Sequence, residues 1–491
     1  MRNLQLGFIT NQSTKRIFRL LDIIERDRQF TIGDLAKEIG VTQRTIGREM
    51  KYIKEYFAGC VALTSGNSGN FFEEIQPSMY QDKKRDLLKD ECLFGIIRDI
   101  FYGNLNDVGE LAHTYHFSES TFRRILSQCA PILQQYGLDW VSNPLSIVGE
   151  EAGLRKFFKD FYYEGGETLY TFSPDDKLHR LILKRLNNSL GNYENGTGTT
   201  INSFYYNFYI AIRRASQGHQ VKIPEQLKKT VFREKEFLVL YTLKEDIEIL
   251  YGFKLAKEEF CWVYLVAICK RTIDKHTREQ YFYERFNLWP ELAGLVMDFL
   301  SAKRISEPMI NEVGLFLRSF FLSRKINNII SPCLNKEMSD IKDAVIRYDG
   351  NHYQENLSFL YSKIDVLNLP KGYIEDVCLS LTLYSNLIFD VYSPKKNIFF
   401  LLEGDHFVCQ HIRMRAIQQF GNKHTLTFLP LQHITKELLN KNHVDLIVSN
   451  YSRYIQDYVV NTDYILLKSV PDDRDWKNLE KKVDPYRKHF F

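Results

Sequence analysis

No CxxC pair occurs in this sequence, although it holds eight cysteines, at 60, 92, 129, 261, 269, 333, 378 and 409. That spacing gives no zinc-ribbon or thioredoxin-type site and no disulfide framework. Reduced, mostly buried thiols are the expectation. Long apolar runs are missing too. The longest, Phe260 to Cys269, is ten residues, against the roughly 20 that a membrane-spanning helix needs. Met1 to Ser13 is polar, with no apolar core of signal-peptide length. The expectation is a cytoplasmic chain that neither enters nor crosses a membrane. Walker A, GxGxxG and nucleophile-elbow patterns are absent, and His113 and His116 stand i, i+3 without a third ligand nearby. No catalytic residue, cofactor or metal is therefore expected, and the chain reads as a non-enzyme. Excess charge of one sign is small: 65 Lys and Arg against 61 Asp and Glu leave +4. This excludes a chain that is basic throughout, so any nucleic-acid contact must be confined to one face.

What is present is 491 residues, enough for several domains of roughly 100–200 residues each. Short helices with tight connections fill Thr14 to Lys54. Val61 to Thr64 and Phe71 to Ile75 then flank a Ser/Gly/Asn-rich turn, predicting a hairpin closed by Pro77. Asp82 to Tyr102 has the apolar spacing of one helix, followed by more short helices over Asp107 to Tyr136. A second hairpin is predicted over Leu138 to Val141 and Leu145 to Val148. From about Asp175 to Asp390 the pattern is helical throughout. A charged, less apolar segment at Lys270 to Glu284 divides it, and loop signals stand at Asn195 to Gly198 and Ser331-Pro332. After Ser393-Pro394 come strand candidates at Ile398 to Leu402, Leu426 to Leu429, Leu446 to Val448 and Tyr464 to Leu467. Helices at Phe407 to Phe420, Ile434 to Lys441 and Asp472 to Val483 complete a small α/β unit.

Phe30 to Ile53, FTIGDLAKEIGVTQRTIGREMKYI, has the pattern of a helix-turn-helix. Thr31 caps a helix over Ile32 to Ile39, with Leu35, Ala36 and Ile39 inward. Gly40 makes the turn, and Thr42 caps a second helix over Gln43 to Tyr56, with Ile46, Met50 and Ile53 inward. The outer face carries Gln43, Arg44, Thr45, Arg48, Lys51 and Lys54. Arg can pair in bidentate fashion with guanine and Gln with adenine, from the N-terminal part of a helix in the major groove. Lys51 and Lys54, farther along, suit phosphates. The hairpin that follows would be a wing, with its tip at Asn67-Ser68-Gly69. Leu105 to Leu126, LNDVGELAHTYHFSESTFRRIL, repeats the pattern without a turn glycine. Val108, Leu111 and Ala112 face inward on its first helix. Ser118 caps the second, with Phe122, Ile125 and Leu126 inside and Glu119, Ser120, Thr121, Arg123 and Arg124 outside. The alternatives are a helix-turn-helix that serves protein contacts and a second copy that only braces the first.

This order resembles the Mga/AtxA-like family of Gram-positive global and virulence transcription regulators that contain phosphotransferase-system regulation domains. The resemblance rests on both helix-turn-helix copies, on Leu145-Ser146-Ile147-Val148-Gly149-Glu150-Glu151 and on Leu154-Arg155-Lys156-Phe157-Phe158. It implies a mainly α, multidomain chain. The parts are a winged helix-turn-helix domain (1–77), a second Mga-type helix-turn-helix domain (78–174), two helical-bundle regulation domains (175–284 and 285–392) and a small α/β domain similar to the enzyme IIB domains of sugar transporters (393–491). Double-stranded promoter DNA, a homodimer or higher oligomer, and phosphocarrier proteins acting on histidines are the implied partners, and the function is that of an activator-type regulator. The usual phosphorylated histidines align with Tyr206 and Val266, which carry no imidazole. His219, His276 and His352 stand as candidate phosphorylation positions, each with an ordinary surface histidine as the alternative, and His179 is the other histidine of the helical region. In the IIB-like segment a catalytic cysteine would follow the first strand. Here that loop reads Glu403-Gly404-Asp405-His406 and Cys409 falls later, inside the helix, which implies a catalytically silent domain used for oligomerisation. An RNA-binding antiterminator would open with a strand-rich domain instead, and a transport subunit would need the missing cysteine.

Overall fold

The computed structural model describes residues 3–66, 69–190, 199–305, 307–337, 339–429, 433, 435–439, 443–459 and 461–485. The expected wing tip at Asn67-Ser68 and loop at Asn195 to Gly198 lie outside the described residues.

The first unit contains α2 (Gln12–Asp27), α3 (Ile32–Ile39) and α4 (Gln43–Tyr56), preceded by the short α1 (Asn3–Leu6). Its sheet has β1 (Gln29–Phe30) antiparallel to β3 (Gly69–Glu74), which pairs in turn with β2 (Val61–Gly66). The sequence pattern predicted the hairpin but not β1, a two-residue edge strand too short to show alternation. Ile17, Leu21, Leu35, Ile46, Ile53 and Phe72 share one core.

Pro77 does not close this unit. It opens α5 (Pro77–Asp86), whose Tyr80 is buried in the first core. The single helix expected over Asp82 to Tyr102 is two helices, α5 and α6 (Cys92–Tyr102). The break serves packing: Tyr80 belongs to the first core, whereas Leu88, Leu93 and Ile97 belong to a second, larger one. Buried Glu91, at the break, accepts hydrogen bonds from Thr10 N at 2.6 Å, Thr10 Oγ1 at 2.8 Å and Asn11 N at 3.3 Å. A helix running straight through could not hold that carboxylate against the start of α2.

The second unit continues with α7 (Val108–Thr114), α8 (Glu119–Gln134), the hairpin β4 (Leu138–Ser142) and β5 (Leu145–Gly149), and α9 (Glu151–Tyr162). The chain's first residues pack here rather than on the first unit. Gln5 is fully buried; its Nε2 donates to Phe161 O and Gly166 O at 2.9 Å each, and its Oε1 accepts from Gly166 N at 2.7 Å. Phe8 lies 5.8 Å from Phe157 and 5.5 Å from Phe161, ring to ring.

The helical region holds α10 (Asp176–Leu190), α11 (Ile201–Ser216), α12 (Glu225–Val231), α13 (Lys235–Tyr241), α14 (Lys244–Tyr251) and α15 (Lys257–Ile268). After these come α16 (His276–Phe286), α17 (Leu292–Ala302), α18 (Glu307–Ile330), α19 (Ser339–Ser362), α20 (Ile364–Leu367) and α21 (Ile374–Val391). A 3-10 turn over Pro332–Asn335 answers the loop signal at Ser331-Pro332. The ten-residue apolar run is the buried body of α15, and no helix among the described residues is long and apolar enough to cross a membrane. The charged segment expected as a divider turns one ion pair inward: Arg271 Nε and Nη2 reach Glu279 at 2.9 and 2.5 Å, and Glu279 is fully buried, while Asp274, Lys275 and Glu284 stay exposed. One buried cluster runs from Leu6 to Phe389, through the second unit and the whole helical region.

The last unit is a four-stranded parallel sheet ordered β7-β6-β8-β9: β6 (Asn397–Leu401), β7 (Thr425–Phe428), β8 (Leu446–Ser449) and β9 (Tyr464–Leu466). Ile398 and Phe400 face α22 (His406–Phe420) and α25 (Asp473–Val483). Phe399 and Leu401 face α23 (Lys436–Leu439) and α24 (Ser452–Tyr458). Strands covered on both faces lose the apolar/polar alternation, which is why β6 reads as a continuous apolar run.

Candidate nucleic-acid interface

The first helix-turn-helix is built by local chemistry. Thr31 Oγ1 accepts from Asp34 N at 3.1 Å, and Thr42 Oγ1 accepts from Thr45 N at 3.3 Å, capping α3 and α4. Between them Gly40 takes φ +79°, which a Cβ would disfavour. Leu35 and Ala36 are buried and Ile39 half-buried. Ile46 and Ile53 are buried on α4 and Met50 half-buried. Gln43, Arg44, Arg48, Lys51 and Lys54 are exposed, and Thr45 is half-buried. Glu49 is turned inward, 3% exposed, and held by Arg16 Nε at 2.7 Å, which removes an acid from the reading face. Lys51 lies 3.8 Å from Glu55, a loose exposed pair, whereas Arg44, Arg48 and Lys54 make no ion pair among the described residues.

In the second unit Ser118 Oγ accepts from Thr121 N at 3.2 Å and caps α8. The turn runs through His116 at φ +58°, the left-handed position that Gly40 fills in the first unit. Val108, Leu111, Ala112, Phe122 and Leu126 are buried and Ile125 half-buried; Ser120, Arg123 and Arg124 are exposed and Thr121 half-buried. Arg123 is already engaged: its Nε and Nη2 donate to Glu119 Oε1 at 3.0 and 2.6 Å, and its Nη1 lies 3.3 Å from Ser142 Oγ on the second hairpin. Arg124 has no such partner.

The two reading helices border one open cleft of about 1050 Å³. Tyr52 and Tyr56 of α4 and Thr121, Arg124 and Gln128 of α8 line it together with Asp86, Asp90 and Glu91, whereas Arg44 and Arg48 do not reach it. The sequence pattern missed Tyr52, Tyr56 and Gln128, since nothing local reveals that two motifs far apart in the chain share a cleft.

The candidate phosphorylation positions are scattered. His219 is exposed in the loop after α11; partial burial, then Arg214, lowers its pKa, and its carbonyl accepts from Arg155 Nη2 at 3.3 Å. His276 is the exposed first residue of α16, its ring 5.6 Å from Phe316. His352 is half-buried on α19, its Nδ1 3.0 Å from Asp349 Oδ2, which also accepts from Asn386 Nδ2 at 2.6 Å. Tyr206 donates to Phe172 O at 2.8 Å, and the His179 ring lies tilted against Tyr205, 4.2 Å between centroids. Among the described residues no group of three or more His, Cys, Asp or Glu is arranged to hold a metal.

After β6 the loop passes Gly404 at φ +110°, and Asp405 caps α22 by accepting from Phe407 N at 2.9 Å and Val408 N at 3.2 Å. Cys409 lies inside α22, and the other seven cysteines are buried thiols.

An exposed, capped, basic helix in a helix-turn-helix is the form of a major-groove reader. Residues 81–162, from α5 into α9, match the Mga helix-turn-helix domain. It is the copy without a turn glycine that matches; the first copy lies outside the match. Along its length the chain is similar to the capsule synthesis positive regulator AcpB of Bacillus anthracis, 22% identical over 96% of this chain and 98% of AcpB. It is also similar to the capsule synthesis positive regulator AcpA of the same organism, 22% identical over 53% of this chain and 54% of AcpA. These matches bear out the resemblance to Mga/AtxA-like regulators and, with relatives named as regulators, the reading as a non-enzyme.

Proposed function

We propose that this chain is a cytoplasmic transcription regulator that grips double-stranded promoter DNA with both helix-turn-helix units. The observation that carries the reading is the pair of capped helices, α4 and α8, each in a helix-turn-helix, with Arg44, Arg48 and Arg124 exposed and, among the described residues, free of ion pairs. Gln43, Arg44, Thr45 and Arg48 read bases, and Lys51 and Lys54 hold phosphates. Ser120, Thr121, Arg123 and Arg124 serve the same purposes in the second unit. The exposed Arg123–Glu119 pair is worth at most about 1 kcal/mol, so a phosphate can compete for it.

In this reading residues 175–284 and 285–392 are the two regulation domains, and 393–491 is a IIB-like domain that has lost its chemistry and supports a homodimer or higher oligomer. The parallel 2-1-3-4 strand order and the loop without cysteine support it. His352 is the best-prepared acceptor of a phosphoryl group: Asp349 holds Nδ1, which leaves Nε2 for a phosphocarrier. The named relatives are positive regulators, and activation is the sign we take for this chain.

The test is a gel-shift titration against promoter-length duplex at two salt concentrations, beside Arg44→Ala/Arg48→Ala and Arg123→Ala/Arg124→Ala. Salt-sensitive binding, weakened by each pair, is the expected result. Binding to no duplex even at low salt would sink the reading.

A further inference from the structure

A small cavity of about 30 Å³ lies where α9 meets both halves of the helical region. Lys156 and Lys159 of α9, Asn207 of α11, Lys270 just after α15 and Asn327 of α18 line it. Among the described residues that line it none is acidic, although three lysines do.

The three ammonium groups are not equivalent. Lys156 donates to both oxygens of Asp160 at 2.7 Å, and Lys159 to Glu164 at 2.7 Å. Among the described residues Lys270 has no side-chain hydrogen bond and no ion pair. Asn207 is 7% exposed, and its amide also makes no hydrogen bond. A lysine without a carboxylate partner and an amide with unused donors, facing one cavity, point to a ligand with acceptor oxygens. Glu337 is the carboxylate nearest in effect to Lys270, but it also faces Arg324 Nη1 at 3.7 Å and accepts from Ser380 Oγ at 2.8 Å.

We propose that this cavity binds one small oxyanion of phosphate size, with Lys270 and Asn207 as its direct donors and Lys156 and Lys159 supplying the surrounding positive field. Cationic charge, an amide donor and the lack of a lining acid select an anion with several acceptor oxygens. The volume limits it to a free ion: about 10–15 Å³ suffices for one water, so this space takes two or three waters or one such ion, and not a phosphorylated metabolite. Burial, with Lys159, Lys156 and Arg324 around it and Glu337 opposing, pushes the Lys270 ammonium down to about 8. A bound anion would raise it again. The ion would join α9, the last helix of the second unit, to both halves of the helical region.

The full chain is titrated with inorganic phosphate by calorimetry. It is also melted in phosphate and in chloride series of matched ionic strength. One saturable site per chain is expected, with a melting temperature that climbs with the logarithm of phosphate. Sulfate should compete and glycerol phosphate should not. Lys270→Met should bind phosphate at least tenfold more weakly and, having lost a buried charge without a partner, should melt in chloride no lower than the parent chain. Asn207→Ala should also weaken binding. No preference for phosphate over chloride in the parent chain, an undiminished effect in Lys270→Met, or equal binding of glycerol phosphate would each overturn the proposal. The titration of the unsubstituted chain decides the matter even if neither variant folds.

Discussion

Asp484, buried at the end of α25, accepts from His424 Nε2 at 3.1 Å and from Lys423 Nζ at 2.6 Å, while His424 Nδ1 accepts from Lys396 N at 3.1 Å. Burial alone would raise the Asp484 carboxyl, but the two donors outweigh it and bring it down to about 2. A folded value below the ordinary 3.8 means that this stabilisation is complete above that pH and is lost as pH falls through about 2. Acid unfolding of the last unit, followed by the fluorescence of its buried Trp476, should therefore steepen between pH 4 and 2. Asp484→Asn should be less stable at neutral pH and nearly flat over that window. On the reading face, Arg44→Ala should cost about 1–3 kcal/mol of discrimination at one base pair. Lys54→Ala should weaken all sequences alike and lower the salt slope by about 1. The exposed set on α4 was legible because a capped helix with an apolar stripe leaves its outer residues nowhere else to go. The Glu119–Arg123 pair is an i, i+4 spacing that a helix brings together, but the approach of Ser142 to Arg123 from the next hairpin was not legible, because no local pattern encodes it.

The two helix-turn-helix elements differ at one backbone position. Gly40 sits at φ +79° without strain, and His116 occupies the matching turn at φ +58° with a Cβ in place. Left-handed backbone costs a non-glycine residue about 1–2 kcal/mol, partly offset by glycine's larger unfolded-state entropy. His116→Gly should thus stabilise the second unit by about 1 kcal/mol in urea unfolding, and Thr42→Ala should destabilise the first by about 1 kcal/mol through loss of its cap. Helix bounds in both elements were readable from caps and turns that act over three or four residues. The interruption between α5 and α6 was not. Its apolar pattern is continuous, and what breaks the helix is the assignment of Tyr80 and Leu88 to different cores, together with a carboxylate at Glu91 that serves residues some 80 positions earlier. β1 escaped for a related reason, since its pairing with β3 is a long-range event.

Across the molecule, Arg155 ties units together. Its Nη1 reaches Glu259 of α15 at 2.5 Å and its Nε reaches Glu151 at 2.9 Å, while Arg214 of α11 reaches Glu151 at 2.8 Å. Glu259 is fully buried, and burial raises its pKa despite the guanidinium. Arg155→Met would strip that carboxylate of its counter-charge, at a cost of about 3–5 kcal/mol in equilibrium unfolding. Arg155→Met/Glu259→Leu should recover much of it. The Leu-Arg-Lys-Phe-Phe stretch was noticeable in sequence only by resemblance; its physical reason is this junction, visible once α9, α11 and α15 are packed. The small sheet at the end was legible in outline from its apolar runs, while its strand order was not, since parallel neighbours are joined through helices and leave no turn signature. The route of the first residues also bears on how such chains can diversify. Gln5 and Phe8 are stitched to α9 although the reading helix they precede lies in the other core. A recombination that exchanged residues 1–77 as a cassette would therefore bring a foreign plug for the second unit together with a new DNA-reading surface. Inheritance should favour point changes on the face of α4 over wholesale swaps of the segment that carries it.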